Sequence, residues 1–146
     1  MASTKDVQEQ ILANMKRWQK IENQAVAATG HIIEKTKNPL IRQVMEIIQA
    51  DSQRHYHVQQ MIVDCLEREG IALTPEDLGA VWTEVEKHIE LERKTVEYAH
   101  EALKLLKGKK MVVIQYLIEY LLEDENKHNK ILDNLEGIKK GMYPYG

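Results

Sequence analysis

The sequence predicts an all-α protein, an antiparallel up-down-up-down four-helix bundle. Three observations lead there. Four long segments carry apolar residues at helical spacing, the breaks between them are only a few residues long, and no segment shows the sustained period-2 alternation of a half-buried strand. At 146 residues the chain is expected to form a single domain over residues 1–146.

The first helix is predicted over residues 4–36, with an apolar stripe of Ile11, Met15, Trp18, Ala25, Thr29 and Ile32. Asn38-Pro39 opens the second, because Asn accepts from the first free backbone N–H groups and Pro is tolerated at the first helical position. That helix is predicted over 39–69 with Ile41, Val44, Ile48, Val58 and Ile62 on its stripe; Cys65 continues it as a small core residue, and Gly70 ends it. Thr74-Pro75-Glu76-Asp77 repeats the start signal, with an acid three residues after the cap. The third helix is predicted over 75–107, with Leu78, Trp82, Val85, Ile89, Val96, Ala99 and Leu103 along its stripe, and Gly108 stops it. The fourth is predicted over 109–138, with Ile114, Leu117, Leu121, Ile131 and Leu135 on one face, and the tail GMYPYG is expected to be irregular.

Helices two and four match at a fixed offset of 73: Ile41 with Ile114, Val44 with Leu117, Glu46 with Glu119, Ile48 with Leu121, Asp51 with Asp124, His55 with His128 and Val58 with Ile131. Helices one and three match more weakly at an offset of 70, pairing Ile11 with Val81, Met15 with Val85, Glu22 with Glu92, Val26 with Val96 and Ile33 with Leu103. The chain reads as two copies of one helix pair.

Composition narrows the function classes. The net charge is −3 and the basic residues are mixed with acids along the chain, so the clustered basic face of a nucleic-acid binder is missing. No apolar run approaches the ~20 residues that span a bilayer, and the start MASTKDVQEQ lacks a signal-peptide pattern. Cys65 is the single cysteine, which excludes an internal disulfide or a four-cysteine metal module. A cytoplasmic protein with no nucleic-acid or membrane partner is expected.

Some stripe positions are polar. Glu22 lies between Trp18 and Ala25, Glu92 between Val85 and Val96, and His55 follows Ile48 by one heptad. Glu125 and His128 interrupt the fourth stripe together; three residues apart, both project from one face. Glu90 takes the place of Glu92 if the third helix is rotated or bulged. Counting turns from the breaks puts all five residues near mid-height. Ionised carboxylates buried without partners are prohibitive, so they need shared protons or cations, and a divalent metal held by carboxylate oxygen and imidazole nitrogen meets that need. A buried hydrogen-bonded network without metal is the other reading of the same residues.

This set resembles the di-iron carboxylate pattern of the ferritin-like superfamily, in which two helices give one Glu each and two give Glu-x-x-His. The stretch LLEDENKHNKIL looks most like the rubrerythrin branch, and the resemblance covers nearly the whole chain. It implies metal ligation by Glu22, His55, Glu92, Glu125 and His128, with iron as cofactor in a di-iron or mononuclear site, or Mn or Zn in its place. It also implies redox chemistry with O2 or peroxide. The chain departs at Ser52, which stands three residues before His55 where the family has a bridging Glu; Asp51 compensates only if the helix shifts. With one cysteine there is no rubredoxin-type module, so a redox role needs a separate electron donor.

Three functions are therefore expected in turn: a non-haem iron oxidoreductase with a partly degraded site, a non-catalytic helical interaction module, and an iron store. A homo-oligomer, with a dimer favoured, follows from apolar residues on a second face of the fourth helix, such as Tyr116, Tyr120 and Leu122. Trp18 and Trp82 are expected as core or interface anchors, His31, His57, His88 and His100 as surface residues, and Asp51 and Asp124 as stripe-edge acids paired with Arg54 and Lys127 or with solvent.

Overall fold

Both N-terminal caps that open the two halves of the chain are built from side chains a few residues apart. Ser3 is the N-cap of α1 (Thr4–Lys35): its Oγ accepts from the backbone N–H of Asp6, whose carboxylate accepts the Ser3 N–H in return. Thr74 and Asp77 form the same reciprocal pair at the start of α3 (Pro75–Leu106). Asp6 is held below the ordinary carboxylate range chiefly by the Ser3 hydroxyl, and Asp77 chiefly by the Thr74 backbone N–H. α2 (Pro39–Glu67) starts as its sequence implies, with Asn38 Oδ1 accepting from the N–H groups of Leu40 and Ile41.

The computed structural model describes residues 1–68 and 70–142. Among these it shows four helices and no strand, so the chain is an all-α, four-helix protein. Three boundaries differ from expectation by two residues or more. α2 stops at Glu67 rather than 69, and residue 69 lies outside the described residues. α4 runs Val112–Met142 rather than 109–138. Its start is late because Gly108 takes the left-handed backbone (φ 75) and the Lys109 N–H closes a turn onto the Leu106 carbonyl, so the first helical bond reaches back only to Met111. Its end is late because Gly137 costs a helix interior only about 1 kcal/mol and nothing stronger intervenes before Met142. Gly141 and Met142, expected in the irregular tail, are helical, while residues 143–146 of that tail lie outside the described residues.

The chain divides into two compact units, Met1–Ala72 and Leu73–Gly146, each a pair of packed helices. Partners in the first run in opposite order: Lys16 meets Glu67, Gln19 meets Gln60, Glu22 meets His55, and Gln49 donates to the Val26 carbonyl. This is an antiparallel hairpin. In the second, Lys139 lies over Trp82, His128 meets Glu92 and Thr95 meets Glu125, again antiparallel. Moving Glu22 by 70 and His55 by 73 gives Glu92 and His128, so the offsets seen in the sequence are the register of one hairpin carried into the other.

A two-helix seam is narrower than an apolar stripe of 100° or more, and much of the stripes predicted on α1, α2 and α4 is therefore open, while that of α3 is buried or half-buried throughout. Ile11, Trp18, Ile41, Ile48 and Val58 are exposed in the first hairpin, as are Ile114, Leu121 and Ile131 in the second. Cys65, expected as a small core residue, is exposed. The first seam is largely polar, burying Gln19, Glu22, Thr29, Ser52 and Gln59 with Val63. The second buries Leu78, Trp82, Ile89 and Ala99 around Glu92, all from α3. No described helix is long and apolar enough to cross a membrane.

Candidate metal centre

The α3–α4 hairpin brings three of the five expected ligands together. Glu92 comes from the buried face of α3, where the apolar spacing of Leu78, Trp82, Ile89 and Ala99 forces it inward. Glu90 points away and pairs with Arg93 at 3.0 Å, so Glu92 is the inward acid. Glu125 and His128 stand one turn apart on α4. One ligand atom from each of Glu92, Glu125 and His128 lies within 4.8 Å of the others. His128 Nδ1 is 3.4 Å from Glu92 Oε2 and 3.6 Å from Glu125 Oε2.

Glu92 Oε2 is a buried oxygen with no hydrogen-bond partner, on a residue only 9% exposed. Its other oxygen, Oε1, lies 2.8 Å from His88 Nε2. Glu92 is held below the ordinary carboxylate value of 4.5, chiefly by polar contact with the Glu125 carboxyl and then by His88 and His128, against the opposing effect of burial. The group with the lowered folded-state value contributes stability above about pH 4.5 that is lost as pH falls through that value. Thermal melts taken down an acid series should show this loss, and Glu92→Gln should flatten that part of the profile.

Around the three ligands stand groups that orient them. His128 Nε2 is 3.4 Å from Asp124 Oδ2, so its second nitrogen faces a carboxylate while Nδ1 faces the cluster. Asp124 also takes the expected ion pair with Lys127, at 2.8 Å. The Thr95 hydroxyl is 2.8 Å from Glu125 Oε2. A shallow cleft of about 300 Å³, lined by His88, Glu92, His128, Ile131 and Leu132, opens beside the cluster.

The other two expected ligands meet in the α1–α2 hairpin. Glu22 is buried, and its Oε1 lies 3.3 Å from His55 Nδ1 and accepts from Gln59 Nε2 at 3.4 Å. Ser52, three residues before His55, is buried, whereas Asp51 is exposed and does not replace the missing acid.

Sequence reading passed over His88, Gln59 and Thr95. Two had a signal: His88 precedes Glu92 by four residues and Gln59 follows His55 by four, the spacing that stacks side chains on a helix. Thr95 had none, because its partner comes from the facing helix.

No family model, curated protein or solved structure matches this chain. Its function has to be read from the chemistry of these residues.

Proposed function

We propose that this chain is a divalent-metal-binding protein whose ion is held by Glu92, Glu125 and His128. The observation that carries the reading is Glu92 Oε2. A buried, ionised oxygen that makes no hydrogen bond is costly, and a cation shared with Glu125 and His128 removes that cost. Asp124 supports it from behind, since a histidine that binds metal commonly gives its other ring N–H to a carboxylate, which fixes the tautomer. Two carboxylates and one imidazole suit Fe(II), Mn(II) or Zn(II). Three protein ligands leave coordination positions for water or a small exogenous ligand, and the cleft beside His88 and Leu132 gives such a ligand access.

A wider reading makes the chain a ferritin-like, rubrerythrin-type iron oxidoreductase acting on O2 or peroxide, with Glu22 and His55 as further ligands and an external electron donor. The 3.3 Å approach of Glu22 and His55 favours it.

Metal content and thermal stability test both. Protein purified without chelator should carry metal, and added Fe(II), Mn(II) or Zn(II) at 100 times Kd should stabilise it by about 2.7 kcal/mol. Two irons per chain with an oxidised-iron absorption band after aerobic Fe(II) addition would support the oxidoreductase. No metal and no thermal shift with any of the three ions would leave a bare helical scaffold and end the proposal.

A further inference from the structure

We propose that the chain holds one ion, in the α3–α4 hairpin, and that the α1–α2 hairpin is its metal-free counterpart, with the Gln59 amide occupying the role of the cation. This rests on the metal-binding reading and adds its stoichiometry and the residues that set it.

The two hairpins share one register, so their polar positions can be compared one by one. Glu22 corresponds to Glu92 and His55 to His128, and both pairs are in contact, at 3.3 and 3.4 Å. Two positions differ. Ser52 stands where the α3–α4 hairpin has Glu125, and it is buried, so the first hairpin offers one carboxylate where the second offers two. Gln59 stands where the second hairpin has Leu132. Gln59 is 4% exposed and its Nε2 donates to Glu22 Oε1.

These two exchanges act in the same direction. Losing the acid at position 52 lowers the charge that attracts an ion, and gaining an amide at position 59 supplies a neutral donor to the carboxylate that remains. The difference shows in the unpartnered buried atoms. Among the described residues the buried carboxylate oxygen without a partner belongs to Glu92, whereas Glu22 contributes none. Gln59 Oε1 is the buried unpartnered atom of the first hairpin. Using that carbonyl as a ligand would turn the amide away from Glu22, and it would produce a second site, which the stoichiometry measures directly.

Equilibrium dialysis of the full chain against Zn(II), and in parallel against Mn(II), counts ions per chain. One ion is expected. Glu22→Gln should keep that ion with its affinity changed less than about threefold, because Glu22 is not a ligand. The double variant S52E/Q59L gives the first hairpin the residues of the second and should raise the count to two. Circular dichroism and a single melting transition establish that each variant is folded, and Glu22→Gln decides the matter if S52E/Q59L is not. Two ions on the natural chain, or loss of the ion in Glu22→Gln, would overturn this inference while leaving metal binding intact. A folded S52E/Q59L chain that still binds one ion would also overturn it. No ion on the natural chain would remove the metal-binding reading itself, and this inference with it.

Discussion

Glu125→Ala is expected to lose the ion and yet fold nearly as well as the natural chain when metal is chelated. The two effects separate because Glu125 matters far more with the ion than without it. With a cation present, its carboxylate completes the three-residue set with Glu92 and His128, and losing one ligand should weaken binding by more than about 100-fold, beyond the loss typical of supporting residues. Without a cation, its polar contact with Glu92 favours the ionised form of that acid, but the Glu125 side chain is itself partly exposed, so its removal costs little. The lost contact with the Thr95 hydroxyl is solvent-exposed and contributes little. Melting curves with chelator and with Zn(II) should therefore show the metal-dependent gain of about 2.7 kcal/mol at 100 times Kd falling to near zero, with the chelated curves of variant and natural chain nearly superimposed. A Glu125→Ala chain that is strongly destabilised in chelator would mean that Glu125 has a structural role, and the metal proposal would lose its support.

Trp82→Ala should have the largest effect on stability. Trp82 is buried, its indole N–H donates to Glu86 at 2.9 Å, and the Lys139 ammonium lies 4.9 Å from its ring. Truncation leaves a large void in a seam otherwise filled by Leu78, Ile89 and Ala99, and removal of a buried Trp costs about 3–5 kcal/mol. The cation–π contact adds about 0.5–1 kcal/mol. In a unit of this size the melting temperature should fall by more than about 10 °C. Trp18→Ala is the control: that side chain is 49% exposed, and its loss should shift the melt far less. Equal shifts from the two variants would contradict the burial of the α3–α4 seam.

The contrast between the two tryptophans shows where sequence pattern stops being informative. Both lie on apolar stripes, and period alone treats them alike. Which one is covered depends on the neighbouring helix, and a hairpin neighbour covers a strip narrower than the stripe. Cys65 and Ile48, also on apolar stripes, are exposed for the same reason. His88 was underestimated, because an exposed imidazole is placed by its contact with Glu92 rather than by any periodicity.

The sequence by itself determined the four helices, three of their four starts, the choice of Glu22 and Glu92 as inward acids, and the repeat of one helix pair's pattern in the other. Each follows from local chemistry: a cap needs only residues a few positions apart, and a face needs only the helical period. The tertiary structure alone decided how closely Glu92, Glu125 and His128 approach, that Ser52 leaves Glu22 to Gln59, and that one buried carboxylate oxygen makes no hydrogen bond. Those outcomes depend on distances across a seam, where a single exchanged side chain on the facing helix changes the partner.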